Sequence, residues 1–242
     1  MFTGEIPGLD IDLSKVLHGE QYFKILKPLE QEARLSNTFK VQDVLDKGKG
    51  MVVLGEIESR DECGEVVAVN QMSIFVVGDG GFGGPRSSDK LIDVAKIPDR
   101  DPDKISEYQT SEDQAALYRM SGKKKKLLLI EYHFFYLPGD LNPLHINPDF
   151  AAMGGFKTPI LHGLCSLGVS VRQLVEQWAD SDHSLVSAVK VRFSRPVLPG
   201  QTLRTSSWSQ GSRVVFSTTV LETGDTCLSG GWIEFKHNVS KL

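Results

Sequence analysis

Cysteine is scarce in this chain of 242 residues. Cys63, Cys165 and Cys227 are the full set, and their spacing fits no metal site. So few, and an odd number, argue against a disulfide framework and for a reducing or neutral compartment. Charge of one sign is not in excess. A net charge of −4 gives no reason to expect nucleic acid as a partner. Long hydrophobic runs are also missing. The longest, residues 127–137, is broken by Glu131 and His133 and is far too short to span a bilayer. The opening residues do not read as a secretory signal. What is left is a composition of 40% hydrophobic and 24% charged residues, ordinary for a globular chain.

Two stretches share a weak pattern. In the first, "YFKILKPL" precedes "TFKVQDVLDKGKGMVVLGEIESRDECGEVVAVNQMSIFVV". In the second, "KVRFSRPVLPGQTLRTSSW" precedes "RVVFSTTVLETGDTCLSGGWIEF". Both are β-branched and aromatic runs separated by glycine-containing turns, which predicts two antiparallel meanders. Residues 91–110, rich in Pro, Asp and Ser, read as a linker. Ser111 and Gln114 form a capping-box pattern for a helix over "DQAALYRM", with Gly122 as its stop. A longer helix is expected over "TPILHGLCSLGVSVRQLVEQWA", where Leu164, Leu167, Val171 and Leu174 recur at helical spacing. The class is α+β. The units are 1–90, the linker 91–110, and 111–242. The first unit has no comparable helix, and an uncovered apolar sheet face is costly. It therefore reads as incomplete, borrowing a cover from a partner or shortened from something longer.

Chemistry concentrates in "GDLNPLH". Asp140, Asn142 and His145 fall in one short loop, and Pro143 restricts the backbone at itself and at Asn142. A carboxylate near an imidazole can orient it, hold a water and move protons. The same residues also fit an Asx-type turn with a surface histidine. Downstream, "KTPILHGLCSLG" enters the long helix through His162 and Gly163. Unpaired N–H groups at a helix start, with no side chain at Gly163, would let a ligand oxygen approach as in an oxyanion hole. "GDGGFGG" matches G-x-G-x-x-G through Gly78, Gly80 and Gly83, but Pro85 and a polar stretch follow it rather than a helix. A structural glycine-rich loop is the expectation there. Cys165 is expected to pack rather than react.

The text "ALYRMSG…GDLNPLHINPDFAAMGGFKTPILHGLCSLG" resembles the signature of the MaoC-like, type 2 (R-specific) enoyl-CoA hydratases. "EIPGLDIDLSKVLHGEQY", "VLDKGKG", "VVGDGGFGGPRSSDK" and "RFSRPVLPGQTL" extend the resemblance to the hydratase part of the peroxisomal type 2 multifunctional enzymes. The resemblance implies a double hot-dog fold, two curved antiparallel sheets each wrapping a helix. It implies hydration of trans-2-enoyl-CoA to (3R)-3-hydroxyacyl-CoA with no cofactor and no metal. Asp140 and His145 would be catalytic, with Asn142 between them and Gly163 binding the carbonyl. His18, Gly19, Lys47, Leu141, Pro143, Leu144 and Phe193 would contact the acyl-CoA. Lys47 would suit the CoA phosphates, and Phe193 would wall the acyl chain. A homodimer is the expected assembly. A non-catalytic acyl-CoA-binding relative and a hot-dog thioesterase are the alternatives, the latter disfavoured by the Asp-x-Asn-x-x-His text.

The chain departs from that pattern in three places. A family-like segment upstream of "MFTGEIPG" is not in the sequence, nor are dehydrogenase or sterol-carrier-like domains. Ser240-Lys241-Leu242 then follows the hydratase text directly. As a terminal tripeptide it is the address read by the peroxisomal import receptor. The third departure is "KKKKLLLIEYHFFYLPG", residues 123–139, which splits the family's "SGD". Gly122-Lys123 can be encoded as GGTAAG, and the far end as a T-rich tract closing in CCAGG. Excision between the GT and the AG rejoins glycine to Asp140 in frame. A retained intron is the first reading. A basic, apolar membrane-contact loop and an added surface hairpin are the others.

Overall fold

A computed structural model describes residues 11, 15–29, 32–121 and 142–237. Among the described residues nine strands form one antiparallel sheet. The first meander is β1 (Val16–Ile25), β2 (Ser36–Asp46), β3 (Gly50–Arg60) and β4 (Val66–Val77). Then come β5 (Lys104–Gln109), α1 (Gln114–Arg119), α2 (Pro148–Met153) and α3 (Gly163–Trp178). The second meander is β6 (Val186–Phe193), β7 (Thr202–Gln210), β8 (Arg213–Val220) and β9 (Thr226–Phe235). The strand order is β2-β3-β4-β1-β6-β9-β8-β7-β5. The expected turns fall where the glycines allow them: Gly48, Gly64, Gly211 and Gly224 all have positive φ.

The two meanders join through β1 and β6, paired antiparallel from Glu20↔Arg192 to Lys24↔Ala188. Directly opposed residues share a face. Val189 and Val191, fully buried, and Phe193 face α3. Lys190 points to the other face, where its ammonium sits 2.7 Å from Glu20 Oε2. Arg192 holds the other Glu20 oxygen at 2.7 Å. Burial pulls the Lys190 pKa down, and Glu20 opposes that pull.

α3 lies on β5, β6, β7 and β9 and buries Cys165, Leu167, Leu174, Val175 and Trp178. Each large apolar side chain so buried contributes ~1.5–3 kcal/mol. Leu164, expected on this face, is 39% exposed, and Ser166, Ser170 and Gln173 are buried instead. Polar bonding explains the serine: Ser170 Oγ lies 2.8 Å from Thr218 Oγ1 on β8. Burial pushes the Cys165 thiol up to about 11, as suits a packing residue. Among the described residues no α-helix precedes α1. The inner face of the first meander holds a small cluster, Met51, Val53, Ile74 and Val76, with Ile11 and Val16 against it.

The span 91–110 is not a free linker. It straps across the outer face of the sheet from one meander to the other. Gln71 donates to the Lys90 carbonyl and accepts from Ile92 N. Ala95 N bonds the Gly230 carbonyl, and Trp232 and Trp208 donate to the carbonyls of Asp93 and Arg100. The strap ends in β5, an edge strand beside β7. Its alternation is polar, with Lys104 inward over the Trp178 ring, so composition hid it. α1 forms, but Ser111 is not its cap. Asp113 precedes the helix without a side-chain cap bond, and Ser111 contributes its carbonyl to Gln114 N. Gly122, residues 123–139, Asp140, Leu141 and Ser240-Lys241-Leu242 lie outside the described residues.

Candidate active site

Asn142 has φ −54 and ψ 122, the extended conformation that the following proline favours. Its side chain accepts from Leu144 N at 3.1 Å, closing a single 3-10 turn over Pro143–His145. Asn147 then caps α2 through Asp149 N and Phe150 N, with Pro148 at the first helical position. Two short capped turns in succession fix the backbone on either side of His145. From α1, Arg119 reaches the Asn142 carbonyl at 3.4 Å.

His145 is buried, and its Nδ1 lies 2.8 Å from the Ile160 carbonyl. A carbonyl oxygen can only accept, so Nδ1 carries the proton. Nε2 is then the nitrogen able to take a proton in chemistry. The imidazole stacks on His162, with ring centroids 3.7 Å apart and planes 27° from parallel. Tyr118 of α1 tilts against His162 at 4.7 Å.

His162 is the residue before α3, and Gly163 is the first residue in it. An N–H at this position has no partner within the helix. A side chain at Gly163 would meet the Phe193 ring at 2.9 Å, so Phe193 lies directly on that backbone. Phe193 in turn contacts His18, ring centroids 4.7 Å apart. His18 stands on β1 at a bulge completed by Gly19, where a Cβ would meet the Ser73 carbonyl at 3.2 Å. One chain of contacts thus links His145, His162, Gly163, Phe193, His18 and Gly19. Pro143 and Leu144, both half-buried, belong to the same turn as His145.

Lys47 is outside this chain of contacts. It sits between β2 and β3, with its ammonium on the Arg86 carbonyl. The neighbouring Asp46 carboxylate accepts from Gly48 N, Gly81 N and Gly83 N at 2.7–2.9 Å. Those N–H bonds hold its carboxyl below the usual carboxylate range. "GDGGFGG" is therefore a structural loop wrapped on a buried carboxylate.

Residues 131–230 match the family model of the MaoC-like domain, and residues 1–78 match that of the MFE-2 hydratase 2 N-terminal domain. "Probable enoyl-CoA hydratase 2" of Dictyostelium discoideum is 38% identical over 93% of this chain and 72% of its own length. The chain belongs to the MaoC-like hydratase 2 family. Within that family it is 46% identical to "Peroxisomal multifunctional enzyme type 2" of Mus musculus, over 95% of this chain. That match spans only 29% of the mouse protein. Among solved structures, a MaoC-like dehydratase from Phytophthora capsici superposes with a TM-score of 0.81 at 36% identity. It covers 94% of this chain and 74% of the other. The architecture is the double hot-dog fold, as described for a Mycobacterium tuberculosis protein that superposes with a TM-score of 0.55 at 11% identity.

His162, Tyr118 and the Ile160 carbonyl had no role in the sequence reading. The sequence did carry one signal for His162. An aromatic residue directly before a glycine that opens a helix stands next to whatever that glycine binds.

Proposed function

We propose that the chain hydrates trans-2-enoyl-CoA to the (3R)-3-hydroxyacyl-CoA in peroxisomal fatty-acid β-oxidation. Water adds across the C2–C3 double bond. Between them Asp140 and His145 remove a proton from water as its oxygen bonds C3, and return a proton to C2. The Gly163 N–H holds the thioester oxygen while negative charge develops on it, a donor of a kind worth ~10²–10³ in rate. Asn142 braces the loop. His18, Gly19, Leu141, Pro143, Leu144 and Phe193 line the acyl-CoA path, and Lys47 faces CoA phosphate. Ser240-Lys241-Leu242 engages the import receptor, and the working assembly is a homodimer.

One observation carries this reading: His145, proton on Nδ1, sits one ring stack away from the residue preceding Gly163. An imidazole whose Nδ1 proton is committed to a carbonyl, near a helix-start N–H that has no partner inside its helix, suits proton transfer next to a thioester carbonyl.

The test follows loss of the conjugated double bond on adding an enoyl-CoA. Asp140→Asn and His145→Ala should each lower turnover ~10²–10⁴-fold while CoA-thioester binding persists. Wild-type turnover in either variant would remove that residue from the chemistry. Thioester hydrolysis without hydration would replace the proposal by a thioesterase, and binding without either reaction by an acyl-CoA-binding protein.

A further inference from the structure

His162 is 2% exposed, yet nothing in the proposed chemistry uses its side chain. Its place is unusual in having two neighbours with a part in the reaction. Its imidazole lies against His145 at 3.7 Å. Its own next residue is Gly163, the carbonyl donor. We propose that His162 is a positioning residue for this reaction: a flat stop that fixes the tilt of the His145 imidazole and its distance from the Gly163 N–H. The role rests on the hydratase reading above.

The Nδ1–H bond to Ile160 fixes one point and one direction of the ring. One bond by itself does not stop the ring rocking about it, and rocking swings Nε2. A ring lying 27° from parallel at contact distance blocks the rocking on one side. His162 can serve as a stop because it is itself fixed. Its carbonyl accepts from Cys165 N at 3.0 Å and Ser166 N at 3.2 Å. Leu161 N, one residue earlier, bonds the Val197 carbonyl at 2.7 Å. Tyr118 rests against the imidazole. His162 is thus built into the start of α3, and so is Gly163. The stack converts the rigidity of the helix start into a fixed spacing between the proton-transfer atom and the carbonyl donor. Misplacement of a reacting group by 1 Å can cost ~10²-fold in rate.

A buried histidine could equally be a space-filler. The two roles differ in what they require. Filling space needs volume, whereas a stop needs a flat face. His162→Phe keeps the face, His162→Leu keeps much of the volume without it, and His162→Ala keeps neither. In the full chain, Leu and Ala should lower kcat ~10²-fold with KM within about threefold of wild type, and Phe should stay within about fivefold. Thermal melting run on all three separates folding loss from catalytic loss. Wild-type kcat in the Leu variant would reduce His162 to packing. A Phe variant as slow as Ala at an unchanged Tm would refute the flat-face argument.

A second readout needs no turnover. Stacking shifts the His145 ring-proton NMR signals upfield relative to those of exposed His183, and the His145→Ala variant identifies them by their loss. The shift should persist in Phe and vanish in Leu and Ala. A signal unmoved in the Ala variant would show that the stack does not exist in solution. Failure of the wild type to hydrate enoyl-CoA, with the shift intact, would instead overturn the hydratase reading and the positioning role that rests on it.

Discussion

Gly163→Ala tests the proposed carbonyl donor through its contact with Phe193. The backbone at Gly163 is not in the left-handed region, so alanine fits it without strain. The obstacle is the Phe193 ring. The new Cβ would lie 2.9 Å from Cδ1 and 3.1 Å from Cε1, against an ordinary carbon contact of 3.4 Å or more. Either the ring or the start of α3 must retreat by about 0.5 Å, because packed interiors have no slack to absorb it. The ring is held by His18 at 4.7 Å, and the helix by the Leu161–Val197 bond. Overpacking of this kind costs ~1–3 kcal/mol, which at ~2–4 °C per kcal/mol for a domain this size lowers Tm by roughly 2–12 °C. A donor displaced by half an ångström or more should cost roughly 10–10² in kcat. Steady-state hydration gives the second number and thermal melting the first. Relieving the clash in Gly163→Ala/Phe193→Leu should recover most of the lost kcat, whatever happens to KM. If Gly163→Ala keeps wild-type kcat, or if the double variant is slower than the single, the donor assignment fails.

Glu20→Gln leaves Lys190 buried without its carboxylate, and breaking a buried pair costs ~3–5 kcal/mol. Chemical denaturation should show that loss, and adding Lys190→Met should restore most of it. An unchanged midpoint in the single variant would mean that the pair is not desolvated. The Asp46 carboxyl is held low by three glycine N–H bonds. Its contribution is therefore full above the unfolded carboxylate pKa near 4 and is lost as pH falls through the lower folded value. Denaturation from pH 6 downward should show an acid-side loss in wild type that is weaker in Asp46→Asn, and identical slopes would contradict it. Deleting residues 123–139 should give a more soluble and more active chain, since their apolar runs invite aggregation when uncovered. Higher activity in the full chain, with a dominant transcript encoding the four lysines, would make the segment a functional loop.

Both meanders, their four glycine turns and α3 were legible because each has a strong local cause. Period-2 runs, glycines at positive φ and helical apolar spacing need no tertiary context. β5 was not legible: "KISEYQ" presents Lys104, Ser106 and Tyr108 inward, and only the edge of β7 and the Trp178 ring make that favourable. α2 was missed because six residues that open on Pro148 and stop at Gly154-Gly155 carry too short a pattern, although Asn147-Pro148 is a good start signal. Leu164 was misjudged because helical spacing cannot tell which of two adjacent faces meets the sheet when a serine there, Ser170, bonds the buried Thr205 and Thr218. At the site, "DLNPLH" and "HG" pointed to His145 and Gly163. Their connection through a ring stack depends on where Ile160 and Tyr118 arrive, which no local pattern encodes.

The β1–β6 ladder has a mechanical meaning. A molecule whose two halves share one continuous sheet, laced together by backbone hydrogen bonds and a buried ion pair at the seam, has no hinge between them. Opening it like a clamshell would break the ladder, at ~0.5–1.5 kcal/mol for each bond left without a substitute. On the proposed function, an acyl-CoA would have to find its room among side chains and surface loops, because the shared framework behind them has no joint to open.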